Sequence, residues 1–144
     1  MRKRSAYRQK TVKAINTMDI AKWAVAMVTE KDRDALLGPI EEAYVVLREG
    51  RLQKDTWNCL ANCMNIAEAL ANDGIGPNLL PELMRAQYAL RQIARRILEH
   101  GSSTVYGLEL ALVREGIDMF NAQLQQATNG EVRNATRKVA HLTP

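Results

Sequence analysis

Residues 53–72, QKDTWNCLANCMNIAEALAN, decide the fold. Trp57, Leu60, Met64, Ala67 and Ala71 recur at three- and four-residue steps, so they stack on one face of a helix. Cys59, Cys63, Ile66 and Leu70 widen that stripe. What remains is narrow and mostly amide: Asn58, Asn62, Asn65, Asn72 and Glu68. A helix apolar over most of its circumference belongs at the centre of a bundle, covered on most sides. Its amide strip reads first as a solvated seam. The second reading is a protein contact surface, with Asn58, Asn62 and Asn65 as the residues that make it.

The flanking segments supply the cover. Thr17 or Asn16 caps a first helix through Ile20, Trp23, Ala24, Met27 and Val28, with Asp19 favourably placed in the first turn. Residues 29–39, TEKDRDALLGP, read as a linker, and a second helix runs from Pro39 to Arg48 with Ile40, Ala43, Tyr44 and Leu47 inside. Gly50 stands just past its end as a stop. DGIGPN (73–78) breaks the chain after the central helix. Leu79–Glu99 is a fourth helix with Leu83, Leu90 and Ile97 inside, flanked by Leu80, Met84, Ile93, Ala94 and Leu98. Thr104–Ala127 is a fifth, carrying Leu108, Leu112, Val113, Ile117, Phe120 and Leu124. Thr128 and Glu131, three apart, match a capping box and open a short last helix. No useful β-alternation occurs. The expectation is an all-α, single-domain bundle of five or six helices.

The chain has 144 residues, 47% apolar but only 5% aromatic, so its core must be aliphatic and methionine-rich. That length suits one domain without metal or disulfide staples. No apolar run approaches the roughly 18 residues of a membrane span, and no secretory signal is evident. The expected location is cytoplasmic, with no membrane partner. Cys59 and Cys63, four apart on a helix, read as reduced core thiols. A metal site would need about two more ligands, and His100 and His141 are distant in sequence.

Charge divides the chain unevenly. There are 20 Lys+Arg and 16 Asp+Glu, and the net is +4. Residues 1–13, MRKRSAYRQKTVK, hold Arg2, Lys3, Arg4, Arg8, Lys10 and Lys13 and no acid, which leaves the remainder with 14 basic against 16 acidic residues, or −2. Such a block repels itself and stays solvated until it meets a polyanion. The expected organisation is a flexible basic arm over residues 1–15 and a helical domain over 16–144. The arm's six cations are the candidate nucleic-acid contacts, with Tyr7 available to stack on a base. A solubilising tail, or docking on an acidic host protein, are the other readings. Arg85, Arg95 and Arg96 on the fourth helix are candidate secondary contacts, although salt bridges to Glu41, Glu42 and Glu49 on the second would also account for them.

No catalytic pattern emerges. Glu-x-x-His pairs for a di-iron site and a phosphate-binding Gly-x4-Gly-Lys motif are both missing. The glycines at 130 and 50 do not match helix-turn-helix spacing. The expectation is a protein that is no enzyme, with no catalytic residue, metal or cofactor. A homodimer through the long helices Gln53–Asn72 and Thr104–Ala127 is a further reading.

MRKRSAYR (1–8), MNIAEAL (64–70) and LELALVREGIDMFNAQL (108–124) resemble small helical proteins encoded by temperate phages and prophages of proteobacteria. The likeness spans most of the chain and contains no catalytic motif. It implies a phage-encoded, non-enzymatic protein in the host cytoplasm and carries no site residues across. It also implies an alternative role, an inhibitor or adaptor acting on a host protein.

Overall fold

In the computed structural model the described residues are 17–141. They form six α-helices: α1 Thr17–Val25, α2 Glu30–Arg48, α3 Lys54–Asn72, α4 Leu80–His100, α5 Gly107–Gln126 and α6 Asn129–Ala140, with a 3₁₀ turn at Pro77–Leu79 before α4. Arm residues 1–15, and the boundary placed after them, lie outside the described residues.

α3 is the hub. It packs against α2, α4, α5 and α6, and Leu60, Met64, Ala67 and Leu70 are wholly buried. The aliphatic stripes of the other helices close on it, namely Ile40, Ala43 and Leu47 from α2, Leu83, Leu90 and Ile93 from α4, and Val113, Ile117, Phe120 and Leu124 from α5. Val132 and Ala135 of α6 complete one continuous core. Burying such side chains is each worth about 1.5–3 kcal/mol. Position, not propensity, therefore makes α3 the organising element.

α5 comes closest. A Cβ at Gly116 would stand 2.7 Å from Met64 Sδ and 2.8 Å from Ala86 Cβ, so α5 crosses α3 and α4 at a spacing only glycine allows. Gln123 ties α5 to the turn after α3, donating through Nε2 to Ala67 O and Ile75 O, both at 2.9 Å.

Several expectations need correction. The segment read as a linker is the first half of α2. Thr29 caps it by accepting from the Asp32 N–H at 3.1 Å, and Glu30 and Asp32 sit in its first turn. Pro39 lies within this helix because the carbonyl it deprives of a donor, that of Ala35, is on the exposed side. α1 stops at Val25, earlier than expected. Its tail turns inward instead, with a bridge between Met27 and Thr128 and with Val28 entering the core. Met84, Leu98 and Leu108 are exposed. The first two sit at the margins of a helix covered mainly by α3 and α5, and Leu108 yields the core-facing position of its turn to Glu109. The capping box at Thr128 and Glu131 forms as read.

α1 is held chiefly by α6. Asn129 Nδ2 donates to Trp23 O at 3.0 Å, and a Cβ at Gly130 would meet Ala24 O at 2.9 Å. Gly130→Ala should therefore lift α1 from α6 while leaving the core intact. Trp23 emission should shift to the red and amides in α1 should lose exchange protection, with little change in the thermal midpoint. An α1 as protected as before would contradict the close approach.

Candidate interaction surfaces

The arginines of α4 separate into two kinds. Arg96 is mostly buried and reaches across to α5, donating to Glu109 through Nη1 (2.9 Å) and Nη2 (3.0 Å) and to Thr104 O at 2.6 Å. Its guanidinium stacks on Tyr106 at 4.2 Å, and Glu109 also accepts the Tyr106 N–H, closing the first turn of α5. A planar fork suits such a bidentate, stacked position. Arg96 is therefore a structural clamp and is not available as a secondary nucleic-acid contact. Arg95 is exposed and paired with Glu99 one turn on, at 2.9 Å. Arg85 is exposed.

Two of the partners expected on α2 are engaged elsewhere, Glu49 by Arg51 and Glu41 by α5. Glu41 accepts two hydrogen bonds from Arg114 of α5, both at 2.7 Å; Arg114 also bonds Asp118 and lies over Tyr44. The reason is topological: α4 packs on α3 and α5, whereas α2 packs on α3 and α5 from another side. The Arg114 guanidinium holds the Glu41 carboxyl below the usual carboxylate range. Only the i,i+4 spacing of Arg114 and Asp118 was readable beforehand.

The amide strip of α3 emerges as one outward seam. Asn58 and Asn62 are exposed, while Asn65 is half-buried and accepts from Gln87 Nε2 at 3.3 Å. Gln87 also donates to Glu68 at 2.7 Å. Shallow grooves flank the seam. Toward α4, one is lined by Trp57, Ala61, Asn65, Met84 and Arg91; toward α6, another is lined by Asn65, Asn72, Lys138 and Val139. At the start of α3, Leu52, Trp57, Asn58, Ala94, Ile97 and Leu98 line a mainly apolar groove, with Trp57 fixed by Nε1 donating to Leu90 O at 2.9 Å. Periodicity located the strip. It missed this groove, whose wall is Leu98, read beforehand as a flanking residue of the fourth helix.

Among the described residues, no three His, Cys, Asp or Glu side chains are gathered as a metal site, and no helix is long and apolar enough to cross a membrane. Cys63 is buried and Cys59 half-buried, both unbridged, and burial pushes both thiols up, away from the nucleophilic thiolate. His100 is the last residue of α4, before left-handed Gly101. The candidate contacts Arg2, Lys3, Arg4, Tyr7, Arg8, Lys10 and Lys13 lie outside the described residues. Compared with models of known families, with curated proteins and with solved structures, the chain matches none.

Proposed function

We propose that the chain is a non-enzymatic binding protein that meets a nucleic acid through residues 1–13 while the helical bundle anchors them. The observation that carries this reading is charge segregation. The whole net positive charge belongs to the leader, the remainder is −2, and the most buried arginine of α4, Arg96, is paired with Glu109. A phage or prophage origin belongs to the same proposal. Chain purified without nuclease should carry nucleic acid, read as a raised 260/280 nm absorbance ratio. Chain beginning at residue 14 should not. Equal ratios for the two would remove the reading.

A second reading, an adaptor or inhibitor docking on a host protein, draws on the seam of Asn58, Asn62 and Asn65 beside the groove walled by Trp57 and Leu98. Exposed amides next to an open aromatic wall suit a protein contact. Leu98→Asp would then abolish partner capture yet leave the absorbance ratio unchanged.

A further inference from the structure

α3 and α4 run antiparallel, and their outward sides form one open trough. The hydrogen bond from Trp57 Nε1 to Leu90 O ties the two helices in its middle, and Gln87 bridges them at one end by donating to Asn65 and Glu68. The groove at the start of α3 and the groove toward α4 share Trp57, so they are halves of the same trough. Along the α4 wall, Met84, Arg91 and Leu98 follow at intervals of seven, which sets them in one line. From first to last is about 21 Å at roughly 1.5 Å per residue. Leu98 is 85% exposed and Met84 52%. Lys54, Trp57 and Ala61 stand on the facing α3 wall. Both walls are tied to each other, so the trough is formed before anything enters it.

Resting on the docking reading above, we infer that the trough takes one acidic, amphipathic helix of a partner protein, about four turns long. Shape is the first reason. A straight apolar line beside an aromatic wall receives a helix whose anchors recur at three- and four-residue steps. Charge is the second. Lys54 lines the half of the trough that holds Leu98, and Arg91 the half that holds Met84. Both are exposed, and neither is ion-paired among the described residues. The acid of the trough, Glu68, sits at the Met84 end and is bonded to Gln87. Two cations against one acid make the trough positive, within a remainder of the chain that is −2. The partner helix therefore sets carboxylates toward Lys54 and Arg91 and apolar side chains against Trp57, Leu98 and Met84. Charge complementarity of this kind selects the partner more than it adds affinity. Other occupants fit less well. A nucleic acid would bring phosphates against Leu98 and Met84 and leave their apolar surface uncovered. A second copy packing its α4 antiparallel on this one would set Arg91 against Arg91, because Arg91 is the midpoint of the line. The leader, with six cations, has the wrong sign.

The probe is a displayed library of helical peptides about four turns long, with leucines fixed at three- and four-residue steps and Glu, Lys or Gln varied between them. Selection on the full chain should enrich Glu over Lys. Lys54→Glu combined with Arg91→Glu, which the fold tolerates because both residues are exposed, should weaken the selected peptide about tenfold. Selection on that variant should turn to Lys. Leu98→Asp should abolish binding of either peptide, with the far-UV circular dichroism unchanged. Peptides that need Leu98 but show no preference for Glu, or that both proteins select alike, would overturn the inference and leave the docking reading standing. Peptides indifferent to Leu98→Asp, no selected peptide at all, or a DNA duplex that displaces the acidic peptide through Arg91 would also overturn it. The docking reading is judged separately, by its own partner capture.

Discussion

Replacing Gly116 by valine is expected to cost about 3 kcal/mol, at the upper end for overpacking a filled core. The added atoms fall where Met64 and the Ala86 methyl already stand, under 3 Å from the new Cβ. The Met64 thioether can swing aside, but Ala86 is fixed to the α4 backbone, so the helices must separate. Urea unfolding should move to a lower midpoint with an unchanged slope, because the same surface is exposed on unfolding. Met64→Ala alone should cost about 2–5 kcal/mol through the cavity it leaves. Together the two should cost less than their sum by more than about 0.5 kcal/mol, since valine then occupies space the methionine vacated. Strict additivity would show that Gly116 and Met64 do not meet, and the packing of α5 on α3 would need redrawing.

The bundle was readable because residues 53–72 are apolar around most of a helix, and that pattern has few structural solutions. The stripes at Ile40, Ala43 and Leu47 and at Val113, Ile117, Phe120 and Leu124 followed from spacing alone, as did the box at Thr128 and Glu131. What misled was local chemistry that tertiary context outweighs. Gly38-Pro39 reads as a break, yet a helix tolerates it where the orphaned carbonyl is exposed. Periodicity placed Leu108 on the stripe of the fifth helix and Met84 and Leu98 at the flanks of the fourth, without knowing which sides of α4 and α5 neighbours would cover. Gln123 occupies a stripe position between Phe120 and Leu124, and a polar residue there was the available signal for its bonds to Ala67 and Ile75. The Arg96–Glu109 and Arg114–Glu41 pairs depend on which helices touch, which charge counting cannot supply.

The candidate site divides along the same line. The amide seam was visible as a strip, but its grooves exist only once α4 and α6 flank α3. Arg96 left the list of contacts because its environment is interior, whereas Arg95 and Arg85 stay on the surface. The leader is a matter of composition: six cations without an acid are as legible in the sequence as they will ever be.

Displaced counterions report that leader most directly, through the salt dependence of duplex binding by the full chain and by a chain starting at residue 17. Six phosphate contacts predict a slope of log K against log salt of about −5, and a loss of roughly 10³ in affinity between 50 and 200 mM salt. The shortened chain, faintly negative, should bind too weakly to give a slope. A full chain with a flat salt response, or a shortened chain retaining the affinity and slope, would contradict the account.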